Sequence, residues 1–475
     1  MTITDKPNTT GGQGGSLSQE HGAGVGIMAE QMMQDAAGKT IPAGYKQTEV
    51  GVIPEDWVVY SVGDIIQRSQ LGGNYENTEN TSDYPLIKMG NIGRGYISLD
   101  KVEYVTSKPS SKDRLMFGDV LFNTRNTLEL VGKVAVWRNE LDEAYFNSNI
   151  LRFYFDKDVV ADSFFMNLAM NTSGFISQLS GIATGTTSVA AIYTRDLYTL
   201  KMAIPEKQEQ SAIANVLSDS DALIDALEQL IAKKQAIKSA TMQQLLTGRT
   251  RLPAFALRPD GTPKGYKPSE LGEIPEDWKV LRIAELGQVD PENLGSSTVP
   301  DYEFDYVSLE QVSKGTLMGT TKMTFRNAPS RARRVLKRGD VLVSTVRPNL
   351  MSHYFVNNEV NDLICSTGFS VVRPCEGDLC TSYLYQHLFS SVINNQIEML
   401  ISGSNYPAIN STDVRQLKIQ IGSFEEQTAI ATILSDMDNE LQALTQKLDK
   451  ARALKQGMMQ QLLTGKIRLP LAAGA

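Results

Sequence analysis

A segment of 45 residues occurs twice in the chain, and this internal repeat constrains the fold more than any other feature. Residues 209–253 align without a gap on residues 426–470 at a constant offset of 217, with roughly 25 of 45 positions identical. Both copies end alike, with QQLLTGRTRLP from Gln243 and QQLLTGKIRLP from Gln460. Such identity at one fixed offset predicts a chain built from two equivalent halves.

A second repeated motif opens each half. GYKQTEVGVIPEDW runs from Gly44 to Trp57 and returns as GYKPSELGEIPEDW from Gly265 to Trp278. Its proline and glycine content predicts an extended connector, and Trp57 and Trp278 are expected to anchor that connector by packing. The repeating unit is therefore a connector, a variable region and a long helical segment.

The two variable regions differ in sequence but share landmarks. GDVLFNTRN from Gly118 corresponds to GDVLVSTVRPN from Gly339. Short apolar runs at Leu151–Phe155 and Phe369–Val372 predict strands, whereas Ser163–Leu179 and Ser382–Leu400 have the length and spacing of helices. Each region is therefore expected to form a mixed α/β domain.

The repeated segments have the heptad periodicity of coiled-coil helices. The predicted seam and subunit interface comprise Leu217, Ile224, Leu227 and Ile231 in the first copy, and Leu434, Met437, Leu441, Leu444 and Leu448 in the second. Gly248 and Gly465 are expected to end the helices, and Ser423 with Glu426 fits a capping box. We expect two antiparallel helices, each about 60 Å long, that separate the domains; two unrelated helices, each docked on its own domain, are the alternative.

The predicted fold class is therefore mixed α/β, with two α/β domains, two long antiparallel coiled-coil helices and an internal pseudo-two-fold repeat. The predicted organisation is a flexible glycine-rich tail over 1–43, a first domain with its connector over 44–207, a first long helix over 208–253, a second connector and domain over 254–424, a second long helix over 425–470, and a tail over 471–475.

Motifs that carry catalysis or bind a metal are missing from the sequence. There is no GxxxxGK[ST] phosphate loop, HExxH, GxSxG, or Asn/Asp-Pro-Pro-aromatic motif. The few histidines, His21, His353 and His387, are too few per domain to build a metal site alone. We therefore expect a chain without catalytic residues, a metal or a cofactor of its own.

Composition places the chain among cytoplasmic globular proteins. No window approaches the run of about 18 apolar residues that a membrane span needs. The cysteines, Cys365, Cys375 and Cys380, form no CxxC pair, which favours a reducing cytoplasm. A net charge of −8 excludes a uniformly basic surface, but phosphate binding depends on local patches.

Several patches have residue types that suit nucleic acid. Arginine and lysine bind phosphates and guanine, and asparagine pairs with adenine, while small hydroxyl and amide side chains allow close approach. The candidate DNA-binding residues are Lys112, Arg114, Arg125, Asn126, Thr186 and Ser188 in the first half, and Arg331, Arg333, Arg334, Arg347, Asn349, Ser404, Asn405 and Tyr406 in the second. Solvated charge and ordinary turns are the structural alternative for these positions.

The paired GYK...IPEDW connectors and EQ..IA..L helices ending in QQLLTG..RLP resemble the specificity subunit of type I restriction-modification systems, over about residues 44–470. The resemblance implies that each domain reads one half of an asymmetric bipartite target in double-stranded DNA, while the helices set the spacer. It also implies two modification (methyltransferase) subunits that bring S-adenosylmethionine, and restriction subunits that bring ATP and Mg. A non-catalytic protein–protein adaptor with a coiled-coil spacer is the alternative, and an enzyme with an unrecognised site is a third.

Overall fold

The computed structural model describes residues 41–401 and 407–470, so most of the predicted N-terminal tail and the residues after 470 lie outside it. The chain divides into two compact units. The first unit runs to Ile224 and includes the chain from Ala451 onwards, and the second covers Asp225–Lys450. Both divisions fall within the repeated helical segments, so each unit combines one variable domain with parts of both segments.

The strands of the first half are mostly short. In chain order they are β1 (Tyr45–Thr48), β2 (Gly51–Pro54), β3 (Val58–Ser61), β4 (Ile66–Leu71), β5 (Asn77–Thr78), β6 (Pro85–Ile87), β7 (Glu103–Val105), β8 (Val120–Asn123), β9 (Arg125–Asn126), β10 (Val134–Val136), β11 (Tyr145–Phe146), β12 (Ile150–Phe155), β13 (Thr184–Gly185), β14 (Ala190–Ala191) and β15 (Lys201–Ile204). Strand β12 contains the predicted run Leu151–Phe155.

The second half repeats this strand content. Its strands are β16 (Tyr266–Ser269), β17 (Gly272–Pro275), β18 (Lys279–Arg282), β19 (Gly287–Val289), β20 (Glu303–Val307), β21 (Val312–Ser313), β22 (Thr316–Leu317), β23 (Thr321–Thr324), β24 (Ala332–Leu336), β25 (Val341–Ser344), β26 (Tyr354–Phe355), β27 (Leu363–Ser366), β28 (Phe369–Pro374) and β29 (Lys418–Ile421). Strand β28 contains the predicted run Phe369–Val372.

Two of the described helices have 40 and 39 residues, whereas the next longest has 11. In chain order the helices are α1 (Val62–Ile65), α2 (Ser163–Ala169), α3 (Ser173–Ile182), α4 (Thr194–Leu197), α5 (Lys207–Leu246), α6 (Pro253–Ala256), α7 (Ile283–Leu286), α8 (Thr381–His387), α9 (Ser391–Ile401), α10 (Ser411–Gln416) and α11 (Phe424–Leu462). The predicted helix over Ser163–Leu179 is broken into α2 and α3, because the Thr172 side chain caps a new helix by accepting from Phe175 N.

The variable domains share a topology although their sequences differ. The first has an antiparallel sheet of order β10-β8-β12-β4, and the second has the matching order β26-β25-β28-β19. Each domain also has a mixed sheet with a parallel pair, β6 with β11 in the first and β20 with β27 in the second. The repeat seen in the connectors and helices therefore extends to the strand order of the domains.

The predicted seam residues lie on the less exposed side of both long helices. Ile224, Leu227 and Ile231 of α5 are partly buried between exposed neighbours. In α11, Met437, Leu441 and Leu444 are partly buried and Leu448 is 7% exposed. The first seam residues, Leu217 and Leu434, are fully buried in the core of their own unit.

Ion pairs join α5 to α11 within each unit, and the two pairs of the second unit show that the helices run antiparallel there. In the second unit, Lys234 pairs with Glu440 at 2.7 Å and Lys238 pairs with Asp438. In the first unit, Lys455 pairs with Asp221, the two positions related to Lys238 and Asp438 by the offset of 217. Within each unit the helices contact each other, which excludes the alternative of two separately docked helices.

The repeated motifs meet at a buried carboxylate in each unit. In the first junction (Asp56, Trp57, Glu209, Arg468), Trp57 Nε1 donates to Glu209 Oε2 at 3.1 Å, and Arg468 binds both Glu209 and Asp56. Trp57 is fully buried, as predicted for a packing anchor, and Glu209 is 1% exposed. The connector, the start of α5 and the chain after α11 are therefore joined at one point.

The second junction (Asp277, Trp278, Glu426, Arg251) repeats these bonds. Trp278 Nε1 donates to Glu426 Oε2 at 2.9 Å, and Arg251 donates to Glu426 and to Asp277. Ser423 Oγ accepts from Glu426 N, but the Glu426 carboxylate binds Arg251 and Trp278 rather than completing the predicted capping box. Burial raises the pKa of Asp277, but hydrogen bonds from Arg251 and Lys264 outweigh it and lower that pKa to about 2.

Glycine is required where each long helix ends against its connector. Gly248 and Gly465 have φ of +69° and +68°, in the left-handed region. A Cβ at Gly248 would lie 2.6 Å from Pro275, and one at Gly465 would lie 2.5 Å from Pro54. The two glycines therefore both end their helices, as predicted, and admit the proline of the IPEDW motif.

No helix in the described ranges is long and apolar enough to cross a membrane.

Replacing Arg468 with Ala should destabilise the first unit by about 3–5 kcal/mol, because Glu209 would keep a buried charge without its guanidinium partner. Arg251→Ala should do the same to the second unit through Glu426. Hydrogen exchange measured by mass spectrometry reports the stability of each unit separately. Arg258→Ala, which removes a half-exposed pair with Glu276, is the matched control and should cost less than about 1 kcal/mol. Unchanged protection around Glu209 in Arg468→Ala would contradict this assignment.

The second unit should lose stability in mild acid. Burial lowers the pKa of His353 to about 4 and that of His387 to about 3, so both rings stay neutral in the fold but take up a proton on unfolding below about pH 6.5. Stability is thus fully present above pH 6.5 and falls toward pH 4, by up to about 1.4 kcal/mol per pH unit for each ring.

Thermal unfolding and hydrogen exchange at pH 7 and pH 5 measure this effect. The first unit is the internal control, because its described residues include no histidine. His387→Phe should reduce the acid sensitivity of the second unit. Equal loss of protection in both units on going to pH 5 would rule out the histidines as its source.

Candidate nucleic-acid interface

In the first unit, four of the predicted contact residues come together on one small sheet. Strand β9, which is Arg125 and Asn126, pairs with β14, and β14 pairs with β13. Thr186 and Ser188 lie in the exposed turn between β13 and β14, with their hydroxyl oxygens 3.2 Å apart. The Arg125 guanidinium and the two hydroxyls are therefore exposed on one small sheet, and Asn126 beside them is half-buried.

The buried strand β8 and the hydrogen bonds that follow it hold this small sheet in place. All four residues of β8 are buried, and the strand ends at Asn123, whose Oδ1 accepts from Arg125 N at 3.1 Å. Thr124 Oγ1 then donates to Asn149 O at 2.8 Å, and Thr124 O accepts from Ile192 N. The chain leaves the core at a fixed angle, so the exposed Arg125 side chain extends from a rigid support.

The second unit builds the same support beneath different side chains. Thr345 N donates to Gly368 O, as Thr124 N donates to Asn149 O in the first unit. Ile409 N donates to Thr345 O, as Ile192 N donates to Thr124 O. Val346 then bridges to Ala408, the counterpart of the β9–β14 pairing. The frame of the site is therefore shared by both domains, whereas the residues it presents are not.

Arg347 and Asn349 lie on a strained turn at this position. Arg347 and Met351 have φ of +50° and +52° and bracket the turn Pro348–Leu350. Left-handed backbone costs a non-glycine residue about 1–3 kcal/mol, and such strain is concentrated at functional sites. Both predicted side chains are exposed. The predicted residues Ser404, Asn405 and Tyr406 immediately precede Pro407, whose carbonyl accepts from Arg347 N, and they lie outside the described residues.

The basic run Arg331–Arg338 does not form one surface, because successive residues of a strand point to opposite faces. Arg334 turns inward and pairs with the buried Asp290 at 2.9 Å, and Arg333, at a β-bulge, stacks over the Phe325 ring at 4.7 Å. Lys337 and Arg338, which follow β24, pair with Glu292 and Glu359.

Backbone hydrogen bonds connect Arg331 to the segment that precedes Arg347. The Arg331 carbonyl accepts from Thr367 N, and Thr367 adjoins Gly368, which receives the hydrogen bond from Thr345 N. Arg331 is exposed.

Lys112 and Arg114 belong to a segment apart from β9. They flank Asp113 around the turn Ser111–Asp113, and both are exposed. Arg114 lies 3.8 Å from Glu143, a half-exposed pair that contributes little to stability. The structure thus divides the predicted residues of the first domain into two groups, one at β9 and β13–β14 and one at this turn.

Sequence reasoning missed Arg152, which lies under that turn. Its signal was a single charged residue within the otherwise apolar strand β12, ILRFYF, where an arginine needs buried partners. Across the described ranges, no three His, Cys, Asp or Glu side chains are placed to share a metal ion.

Two matches to one family model cover most of the chain. The model describes the type I restriction modification DNA specificity domain, and it matches residues 54–238 and 275–451. The chain therefore belongs to this family, and the resemblance noted in its sequence is confirmed. Membership of this family assigns the chain a recognition role rather than a catalytic one.

Full-length relatives are similar over nearly their whole length. A Methanocaldococcus jannaschii protein, provisionally named the type I restriction enzyme MjaX specificity subunit, is 27% identical over 90% of this chain and 97% of its own. The MjaVIII specificity subunit of the same organism is 23% identical over 88% of this chain and 94% of its own. The crystal structure of a type I restriction-modification S subunit from M. genitalium has the same fold, with a TM-score of 0.56 at 13% identity over 91% and 99%.

Proposed function

We propose that this chain is the sequence-specific DNA-recognition subunit of a type I restriction-modification complex, in which each domain reads one half of an asymmetric bipartite target. The supporting observation is the shared frame after β8 and β25, which presents Arg125 and Asn126 in one domain and Arg347 and Asn349 in the other. Because the frame is shared, both domains would dock on DNA in the same way. Because their exposed residues differ, each domain would recognise a different half-site.

The contact residues divide by chemistry. Arg125, Asn126, Thr186 and Ser188, with Arg347, Asn349, Ser404, Asn405 and Tyr406, read base edges, because guanidinium, amide and hydroxyl groups match the major-groove pattern. Lys112, Arg114, Arg331 and Arg333 bind phosphates. Arg334 supports this surface from within through its pair with Asp290.

Partner subunits dock on the long helices and bring the chemistry. Leu223, Leu230 and Ile237 are 54%, 38% and 42% exposed and recur every seven residues on α5, beside the seam. An exposed apolar stripe with this period fits a helix of a modification subunit. S-adenosylmethionine would be bound by the modification subunits, and ATP and Mg by restriction subunits, in a cytoplasmic complex. The length of the helices sets the spacer.

A protein–protein adaptor is the competing function. It explains the helices but gives no reason for one frame to present different arginine and amide groups in the two domains. Salt-dependent, sequence-specific DNA binding by the assembled complex separates the two, since an adaptor would show none.

Arg125→Ala with Asn126→Ala should relax base preference in one half of the target, and Arg347→Ala with Asn349→Ala should relax it in the other, because each pair serves one domain. Each lost base contact should reduce discrimination by about 1–3 kcal/mol. Selection of bound fragments from a random DNA library by the assembled complex, followed by sequencing, reads both halves at once. Arg195→Ala, an exposed arginine paired with Asp196, is the control and should leave both halves unchanged. Relaxation of both halves by one pair of substitutions would contradict the assignment.

Leu230→Glu should block docking of the modification subunit, because it puts a charge into an apolar contact. It should not unfold the chain, because Leu230 is 38% exposed and a glutamate there can reach solvent. Co-purification of tagged methyltransferase subunit measures docking, and we expect at least a tenfold loss, about 1.4 kcal/mol. Gln229→Glu, which adds the same charge to another face of α5, is the matched control. If the Leu230→Glu chain co-purified fully with the methyltransferase subunit, the stripe would not be part of the docking interface.

A further inference from the structure

A buried arginine lies beneath the segment that carries Lys112 and Arg114. Arg152, the third residue of β12, is 4% exposed, and its guanidinium lies 4.9 Å from the Phe146 ring centre and 5.0 Å from that of Tyr154. A buried guanidinium cannot lose its proton, so it has to be hydrogen-bonded or it destabilises the fold.

Two of its hydrogen bonds hold the backbone on either side of Asp113. Arg152 Nη2 donates to Lys112 O at 2.7 Å, and Arg152 Nη1 donates to Arg114 O at 2.9 Å. The same two nitrogens donate to Gln70 Oε1 at 3.0 Å and to Asp119 Oδ2 at 2.8 Å. The planar guanidinium thus fixes the separation of two carbonyls of one exposed segment.

Asp113 fixes the rotation of the same segment. It is 1% exposed and accepts from Tyr75 OH at 2.5 Å and from Gln70 Nε2 at 2.8 Å. With Asp113 pointing inward, its neighbours Lys112 and Arg114 point to solvent, where both are exposed. Arg152 and Asp113 together set the spacing and the direction of the two cations.

The second domain has no arginine at the position of Arg152. Arg152 is paired with Leu121 of β8, and the matching position beside Leu342 of β25 is Val371, which is buried. The second domain instead places Arg373 two residues further along, where it binds Asp340. Both domains thus pair the aspartate of the GDV motif with an arginine, since Arg152 binds Asp119 at 2.8 Å. The bonds from Arg152 to the carbonyls of Lys112 and Arg114 are particular to the first domain.

We infer that Arg152 is a positioning residue for DNA binding by the first domain: it holds the backbone on both sides of Asp113 and so places Lys112 and Arg114 for contacts with phosphates. This inference rests on the proposed function. Arg152 itself touches no DNA, so all of its effect on binding passes through Lys112 and Arg114.

A double-mutant cycle tests this directly. The complex with the methyltransferase subunit would carry the wild-type chain, Arg152→Gln, the pair Lys112→Ala and Arg114→Ala, or all three changes. DNA dissociation constants would be measured at several salt concentrations on a duplex selected by the wild-type complex. Arg373→Gln is the control, because it breaks a comparable arginine–aspartate pair in the other domain.

The pair of alanine substitutions should weaken binding roughly tenfold or more and lower the salt slope by about 2, one for each phosphate contact. Arg152→Gln should give most of that loss, and the triple variant should bind no more weakly than the alanine pair. Arg373→Gln should leave the contribution of Lys112 and Arg114 unchanged. If Arg152→Gln does not fold, Arg152→Lys keeps a charge near Asp119 but cannot span both carbonyls, and it should show the same loss in part.

Additive effects in the triple variant, or wild-type binding by folded Arg152 variants, would overturn the inference, as would an alanine pair that binds like the wild type. Failure of the proposed function gives a different result, in which the wild-type complex shows no sequence-specific, salt-dependent affinity for DNA.

Discussion

The buried carboxylates Glu209 and Glu426 are the constraint on which the architecture depends. Each lies in the first turn of a long helix, and each is bound by a tryptophan from a connector and by an arginine from the chain that follows the other long helix. A charge at 1% exposure is tolerated only with such partners. The three repeated motifs are thus three parts of one junction, which explains why they recur together at two places in the sequence.

This arrangement separates the frame from the candidate interface. The junctions, the strand order and the Thr124 and Thr345 hydrogen bonds are common to both units, and none of them uses the exposed side chains of the candidate interface. The surface residues can therefore differ between domains without loss of the fold. Where one surface needs extra support, a buried group such as Arg152 or Asp290 supplies it within that domain.

The sequence predicted the features that depend on periodicity or on local motifs. The repeat, the heptad seam, the tryptophan anchors and the glycine helix ends follow from residue spacing alone, and the structure contains them. Features that depend on partners distant in sequence were not predictable. Glu426 fitted a capping box until Arg251 and Trp278 were seen to bind it. Arg334 fitted a basic patch until its pair with Asp290, 44 residues away, was visible.

The central claim is that one repeated frame presents two different DNA-reading surfaces. The most direct test is single-molecule sequencing of DNA from a methylation-free host that expresses this chain with its methyltransferase subunit, with each subunit alone as a control. We predict an asymmetric two-part motif, with a spacer of fixed length, that is methylated only when both chains are present. A single uninterrupted motif, methylation by the partner alone, or no methylation from an assembled complex would contradict the claim.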